Sequence, residues 1–153
     1  MCSLIRLATN DDAEGIINLI ARCYADYPPN TLDVEVEEPE LKTPASSFDS
    51  FWVLEAKGQI LGSIAATNYK NEVEMKKYYI HPKIRGTGEG RKLHDIFLNY
   101  VRGQGVSRIV LWTDTRFSLA HKVYQHMGYI KTGKTRELHD ISETTEFHFE
   151  LNL

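Results

Sequence analysis

Three alternate glycines separate a strand-like run from a helix-like run in the middle of the chain. Gly86, Gly88 and Gly90 stand in the stretch I-H-P-K-I-R-G-T-G-E-G-R-K-L, residues 80–93. Glycine allows left-handed backbone conformations and lets another molecule approach the backbone N–H groups closely. A helix that begins directly after such a loop adds a dipole that favours an anion. The segment therefore predicts a strand, an anion-binding turn and a helix, in that order.

The spacing of these glycines excludes two common phosphate-binding loops. The dinucleotide fingerprint G-x-G-x-x-G needs a glycine at position 91, where the chain has Arg91. A Walker A loop ends in G-K-[ST], and the loop has no such triplet. What remains is R-x-x-G-x-G over residues 85–90. A plain glycine-rich turn would explain the glycines alone, so the identity of any anion depends on the rest of the chain.

Hydrophobic periodicity predicts an α/β (α+β) fold, with a mixed, mostly antiparallel central sheet and helices on both faces. The predicted order is strand, helix, three strands, helix, strand, helix and two strands. Strands are expected at residues 3–7, 51–56, 60–67, 74–80, 108–112, 129–132 and 145–151, and helical faces at 16–24, 93–101 and 120–127. Residues 30–50 read as a long irregular loop, and that length favours a functional role.

The predicted strand 74–80 contains an irregularity. Its apolar side chains Met75, Tyr78 and Ile80 are spaced by three and then by two residues. A regular strand keeps a period of two, so this spacing predicts a β-bulge with one extra residue between Met75 and Tyr78. In the alternative arrangement Tyr79 faces inward and the stem of Lys77 covers apolar surface.

Composition predicts one soluble domain over residues 1–153. Hydrophobic residues make up 42% and charged residues 25% of the chain, and the net charge of −3 argues against a general nucleic-acid binder. Cys2 and Cys23 have no disulfide or metal-ligand spacing, and no metal dependence is expected. No apolar run reaches membrane length and no signal peptide is visible, so the predicted location is cytoplasmic, with no membrane partner.

Two motifs resemble those of the GNAT superfamily of N-acetyltransferases. The first is a strand ending in Y-I-x-P followed by R-x-x-G-x-G, and the second is A-x-x-x-Y-x-x-x-G-Y. In this chain they fall on Tyr79, Ile80, Pro82 and residues 85–90, and on Ala120, Tyr124, Gly128 and Tyr129. The resemblance extends over nearly the whole chain and is weakest at residues 25–50.

The resemblance implies acetyl-CoA as cosubstrate and direct transfer of its acetyl group to a primary amine in a ternary complex. Tyr124 matches the general acid, and Glu74 is the candidate general base, with Glu72 equally open by sequence. The implied cofactor-binding residues are Tyr78, Tyr79, Ile80, Arg85, Gly86, Thr87, Gly88, Glu89, Gly90 and Arg91. Without the resemblance, Tyr124 would be read as a core aromatic residue.

Two residues depart from the family pattern. The resemblance implies that the anion bound by the glycine loop is the pyrophosphate of coenzyme A. Glu89 stands where an aliphatic residue is usual, and its carboxylate is unfavourable near that pyrophosphate unless it faces solvent or pairs with Arg91 or Lys92. Phe117 stands where many members carry an asparagine that contacts the cofactor. Two alternative functions stay open: a non-catalytic acyl-CoA-binding domain, which the intact Tyr124 and the complete R-x-x-G-x-G disfavour, and a nucleotide-binding module.

The acceptor is expected to be a small-molecule or peptide amine. The segment 32–40 carries Asp33, Glu35, Glu37, Glu38 and Glu40 and lies in the region that walls the acceptor site in the resembled family. An acidic wall would concentrate a cationic amine. The alternative is a solvated polar face. An exposed edge strand near the C-terminus would be able to support a homodimer.

Overall fold

A computed structural model describes residues 2–153, and all of its strands belong to one sheet. In chain order the strands are β1 (Leu4–Leu7), β2 (Ser50–Ala56), β3 (Gln59–Asn68), β4 (Glu72–Ile80), β5 (Arg108–Asp114), β6 (Ile130–Glu137) and β7 (Thr145–Asn152). Their order across the sheet is β1-β2-β3-β4-β5-β7-β6. Every neighbouring pair is antiparallel except β4 and β5, which are parallel. The predicted mixed, mostly antiparallel sheet is confirmed.

Helices cover both faces of this sheet. They are α1 (Ala13–Tyr24), α2 (Pro44–Ser47), α3 (Glu89–Arg102) and α4 (Ser118–His126). Side chains alternate along the central strands, so Val53 of β2 packs with α1 on one face, whereas its neighbour Trp52 packs with α3 on the other. Tyr124 brings α4 to the same face as α3. The predicted helices on both faces are confirmed.

Strand β4 contains the extra residue that its sequence predicts. Ser63 of β3 pairs with Tyr79, whereas Ala65, two residues later, pairs with Lys76, three residues earlier on β4. Lys77 has a φ of 55°, and its carbonyl accepts a hydrogen bond from Ser63 Oγ at 2.6 Å. The predicted β-bulge is confirmed.

The bulge decides which side chains of β4 share a face. Met75, Tyr78 and Ile80 all pack in the core beneath α3 and α4. Tyr79 packs in the core beneath α1. The alternative arrangement, in which Tyr79 would replace Tyr78 on the first face, is therefore excluded.

Residues 30–50 are more ordered than an irregular loop. They include a 3-10 turn at Pro39–Lys42 and then, after Thr43, the four residues of α2. Leu41 is fully buried between this turn and α1. Because Leu41 lies within a polar stretch, hydrophobic periodicity could not predict that it is buried.

Strands β4 and β5 pair over only part of their length, and this partial pairing positions the candidate site. Their parallel ladder joins Glu72 to Arg108, Val73 to Ile109 and Glu74 to Val110, and then stops. Beyond this point the two strands no longer pair with each other, and their remaining residues line a cleft. Because backbone groups of a strand need partners, this opening offers a place for a ligand to complete the ladder.

Three further findings concern the wider molecule. Within residues 2–153, no helix has the length and apolar character that crossing a membrane requires. The same residues contain no group of three histidine, cysteine or acidic side chains placed to hold a metal ion. Strand β6 lies at an edge of the sheet and is mostly exposed, and the homodimer expected through such an edge stays a prediction.

Candidate active site

The opening between β4 and β5 belongs to a cleft of about 1020 Å³. Its walls come from the end of α1, the parted strands β4 and β5, the glycine loop, α4 and the two chain segments 30–40 and 136–146. All but two of the residues implied as site residues line it: Glu74, Tyr78, Tyr79, Ile80, Arg85, Gly86, Gly88, Gly90, Arg91 and Tyr124. The fold thus gathers residues that lie up to fifty positions apart in the chain.

The glycine loop has the conformation that its sequence predicts. Gly86 and Gly88 have φ values of 79° and 87°, in the left-handed region that glycine tolerates best. Gly88 is the N-cap of α3, so the following N–H groups point out of the helix. Among residues 2–153, no acceptor receives a hydrogen bond from the N–H of Gly88, Gly90 or Arg91. The loop therefore presents free donors and a helix dipole to an anion in the cleft.

Gly90 serves a different purpose from the other two glycines. A Cβ at this position would lie 3.1 Å from Ile80 Cγ1, which is tighter than ordinary packing allows. The Gly90 carbonyl also accepts a hydrogen bond from the Tyr78 hydroxyl at 2.7 Å. Gly90 therefore lets the first turn of α3 lie directly against the bulged strand.

Two arginines give the loop end of the cleft a positive charge. Arg85 Nε donates to the Ile80 carbonyl at 3.1 Å, and its Nη1 lies 3.6 Å from Asp26 Oδ2. Arg91 makes no ion pair with any of residues 2–153. The Ile80 carbonyl therefore already has a protein donor, whereas the Arg91 guanidinium has no ion-pair partner among residues 2–153.

Thr87 and Glu89 point away from the cleft. Thr87 Oγ1 donates to the Ile84 carbonyl at 2.6 Å and so stabilises the turn. Glu89 accepts hydrogen bonds from Ser3 Oγ at 2.6 Å and from Lys92 Nζ at 3.2 Å, and the Ser3 hydrogen bond is the main reason why its pKa is lowered. The pairing with Lys92 is one of the arrangements expected for a carboxylate at this position.

Tyr124 is both a core residue and a cleft residue. Its side chain is only 7% exposed, and its ring centroid lies 6.4 Å from that of Tyr78 and 5.6 Å from that of Phe149. Burial raises the pKa of its phenol, and a hydrogen bond with Thr113 opposes this rise. The hydroxyl is therefore protonated at neutral pH. Its role as general acid stays a prediction.

The structure distinguishes between the two candidate bases on β4. Glu74 lines the cleft with a side chain that is 13% exposed, and its Oε1 lies 3.4 Å from the Tyr69 hydroxyl and 3.9 Å from Lys76 Nζ. Glu72 is held by Arg108, with Nη2 at 2.9 Å from Oε1, and is not part of the cleft wall. Of the two carboxylates, only Glu74 faces the cleft.

A third carboxylate in the cleft, Glu146, was missed by sequence reasoning. It lies on β7, directly across from Asp114 on β5 and Arg136 on β6. Arg136 Nε donates to its Oε1 at 2.7 Å. Burial raises the pKa of Glu146, and the Arg136 hydrogen bond opposes that rise. The apolar alternation of Phe147 and Phe149 predicts which side chains of this strand face the core, but it does not predict that Glu146 faces a cleft.

Phe117 contributes to an aromatic wall of the cleft. Its ring centroid lies 5.0 Å from Tyr27, 5.9 Å from Tyr24 and 6.5 Å from Tyr79. A phenylalanine side chain cannot donate or accept the hydrogen bond that asparagine would provide. Position 117 therefore offers apolar contact where the family pattern offers a polar one.

The acidic wall is smaller than the sequence suggests. Glu35 is 78% exposed, pairs with Lys42 at 2.5 Å and lies outside the cleft. Lys77 Nζ lies between Glu38 and Glu40, at 2.6 Å and 3.2 Å, and neutralises part of the wall. The segment contributes three carboxylates to the cleft, namely Glu37, Glu38 and Glu40.

Comparison with known proteins agrees with this arrangement. The sequence model of the acetyltransferase (GNAT) family matches residues 13–129, which include the bulged strand, the glycine loop and Tyr124. The chain belongs to the GNAT family.

Two relatives are similar to this chain over part of their length. N-acetyltransferase family 8 member 2 of Rattus norvegicus is 33% identical over 98 residues, which are 60% of this chain and 43% of that protein. N-acetylaspartate synthetase of Danio rerio is 28% identical over 116 residues, which are 74% of this chain and 40% of that protein. This chain therefore spans about two fifths of the length of these relatives.

Solved structures share the whole GNAT fold with this chain. An acetyltransferase from Streptococcus agalactiae superposes with a TM-score of 0.84 at 20% identity, covering 99% of this chain and 98% of that one. The PaiA N-acetyltransferase from Thermoplasma acidophilum, solved in complex with coenzyme A, superposes with a TM-score of 0.76 at 17% identity and covers all of both chains. At these identities the likeness establishes the fold.

Proposed function

We propose that this protein is an acetyl-CoA-dependent N-acetyltransferase that transfers the acetyl group directly to a primary amine in a ternary complex. The observation that carries the proposal is the position of the Tyr124 side chain. It lines the same cleft as the glycine loop and the parted ends of β4 and β5. One ligand in this cleft can therefore reach the anion-binding donors and the phenol together.

The residues of the cleft fit acetyl-CoA. The free N–H groups of Gly88, Gly90 and Arg91 suit a pyrophosphate, and the Arg91 guanidinium adds positive charge. The open edge of β4 beyond Glu74 suits the amide-bearing pantetheine arm, which would extend the sheet as a strand does. The likeness to a GNAT fold solved with coenzyme A supports the same assignment.

Two side chains are proposed to move protons. Acetyl-CoA supplies an activated acetyl thioester, whose departing thiolate must be protonated. Tyr124 carries a proton at neutral pH because burial raises its pKa, so it is the proposed general acid. Glu74 lines the cleft and is the proposed general base that removes a proton from the amine, directly or through water.

The proposed acceptor is a primary amine. One relative is named for the synthesis of N-acetylaspartate, the product of acetylating an amine. The carboxylates of Glu37, Glu38 and Glu74 line the cleft and would raise the local concentration of a protonated amine. A free amine must form before attack, which is why a base is part of the proposal.

The test is an amine panel with acetyl-CoA, in which released thiol is followed for the wild type and for Tyr124→Phe. Removal of the hydroxyl keeps the ring and is expected to lower kcat by about 10²–10⁴-fold. The dissociation constant of acetyl-CoA, measured by calorimetry, should not change. Tyr100→Phe is the matched control, because Tyr100 bonds to Asn68 at 2.8 Å outside the cleft.

Two outcomes would contradict the proposal. Wild-type turnover in Tyr124→Phe would mean that Tyr124 is a core residue and that the acid lies elsewhere. Tight binding of acetyl-CoA with no transfer to any amine would favour a non-catalytic acyl-CoA-binding domain.

A further inference from the structure

Two chain segments that are about a hundred residues apart are hydrogen-bonded to each other at the cleft. We call them the bridge, which consists of residues 30–38 and 138–144. The Thr31 N–H donates to Ser142 Oγ at 2.9 Å, and the Ile141 N–H donates to Glu37 Oε2 at 2.7 Å. Both segments line the cleft. Their contact joins the wall that follows α1 to the wall between β6 and β7.

One buried carboxylate connects both halves of the bridge to β5. Asp114, the last residue of β5, is 5% exposed. Its Oδ2 accepts a hydrogen bond from Asn30 Nδ2 at 3.2 Å, which holds the first segment directly. Its Oδ1 accepts from Arg116 Nε at 3.0 Å. Arg116 Nη2 in turn donates to the Ser142 carbonyl and to Thr144 Oγ1, each at 3.0 Å, which holds the second segment.

The same residue is also linked to the helix that carries Tyr124. His121 of α4 donates from Nε2 to the Asp114 carbonyl at 3.0 Å. A buried carboxylate is costly unless donors satisfy its oxygens, and both oxygens of Asp114 accept hydrogen bonds. Its position is therefore strongly constrained, and the segments bonded to it share that constraint.

We propose that Asp114 is a positioning residue that holds the two segments of the bridge in place as a single wall of the acceptor site. This inference rests on the proposed function, and it narrows the acceptor to a small free amine. The reason is that a fixed bridge leaves the acceptor half of the cleft bounded on both sides. We expect the fixed bridge to hinder an amine on the surface of a folded protein from reaching Glu74 and Tyr124.

The charge of Asp114 allows a sharp test. In Asp114→Asn the side chain keeps its shape and an oxygen for Arg116 but loses its negative charge, so its hydrogen bonds to Asn30 and Arg116 lose their charge assistance. In the double variant Asp114→Asn with Asn30→Asp, a carboxylate again faces an amide, and the bond between positions 30 and 114 regains that assistance. Ser142→Ala, which removes the contact to Thr31, is a milder second test of the bridge, and Ser107→Ala is the control outside the cleft.

We expect Asp114→Asn to raise the KM of the preferred small amine about tenfold, the difference between a hydrogen bond to a charged acceptor and one to a neutral acceptor. The dissociation constant of acetyl-CoA should remain unchanged, and the exchange variant should restore KM. Ser142→Ala should raise KM less, and Ser107→Ala should not change it. The wild type should acetylate the small amine at least a hundredfold more efficiently, in kcat/KM, than the lysines of a folded protein.

The proposal is overturned if KM stays at the wild-type value in both Asp114→Asn and Ser142→Ala, or if the exchange variant fails to restore it. Equal efficiency toward a folded protein would overturn the size limit. Hydrogen exchange of the Thr31 and Ile141 amides is a readout that does not need activity. Loss of their protection in Asp114→Asn supports the network even if no amine is acetylated, a result that would contradict the proposed function alone. Unchanged protection overturns the network.

Discussion

Glu72 and Glu74 are two residues apart on one strand, yet their surroundings differ. Arg108 binds Glu72 outside the cleft, whereas Glu74 is nearly buried within it. The alternation of side chains along β4 does not distinguish the two glutamates, because both lie on the face opposite Val73 and Met75. What separates them is the point at which β4 and β5 part, directly after Glu74.

We predict that Glu74→Gln lowers kcat by about 10²-fold or more, as expected for loss of a general base. Glu72→Gln is the matched control and should keep wild-type turnover. Both are measured with acetyl-CoA saturating, so that a change in cofactor affinity does not enter. If Glu74→Gln is as active as the wild type while Glu146→Gln is not, the base is Glu146.

The residues of the site were predictable to different degrees. Tyr124 and the glycines stand in motifs with fixed spacing, so the sequence located them. Glu146 and Asp114 carry no such signal. They face each other only because β7 pairs with β5, and the neighbour of a strand in a sheet is not encoded in its own periodicity.

At the scale of elements, the proposed role of the glycine loop before α3 depends on its backbone N–H groups and not on its side chains. Gly88→Ala should raise the dissociation constant of acetyl-CoA on the order of tenfold or more, because a side chain would hold phosphate away from free N–H groups. Calorimetric titration with acetyl-CoA measures this change.

Gly58, in the turn between β2 and β3, is a matched control for this substitution. Gly58 and Gly88 have φ values of 75° and 87°, and a Cβ at either would meet no atom within 4 Å. Each alanine should therefore cost about 1–2 kcal/mol of stability for the same backbone reason. A similar rise in the dissociation constant for both variants would mean that strain, and not access to the loop, weakens binding.

The elements also show where sequence reasoning succeeds. The bulge in β4 followed from three apolar side chains within six residues, because one strand's own pattern contains that information. The segment 30–38 could not be placed in this way. Its position depends on hydrogen bonds to Ser142 and Ile141, which are more than a hundred residues away in the chain.

At the scale of the whole molecule, a buried histidine couples stability to pH. His94 of α3 is 3% exposed, and its Nε2 lies 2.8 Å from the Tyr129 hydroxyl. Burial lowers the pKa of His94 from 6.5 to about 4. Between these values the unfolded chain binds the proton and the folded chain does not. The contribution to stability is therefore present above pH 6.5 and is lost as the pH falls toward 4.

We predict that the free energy of unfolding decreases as the pH is lowered from 6.5 to 4, with up to about 3 kcal/mol of that decrease due to His94. Urea denaturation at a series of pH values measures the slope. His94→Gln should flatten it, whatever its effect at neutral pH, while His126→Gln, at an exposed position, should keep the wild-type slope. Identical slopes in all three proteins would rule out His94 as the source.

The parting of β4 and β5 has a consequence for the folded protein as a population. The strands β1 to β4 and the strands β5 to β7 are joined in the sheet through only three residue pairs of the described chain. A ligand that bonds to both sides of the opening favours the folded state by RT ln(1 + [L]/Kd). The fraction of molecules that is folded therefore rises with the concentration of that ligand, so the amount of folded protein depends on the supply of its own ligand.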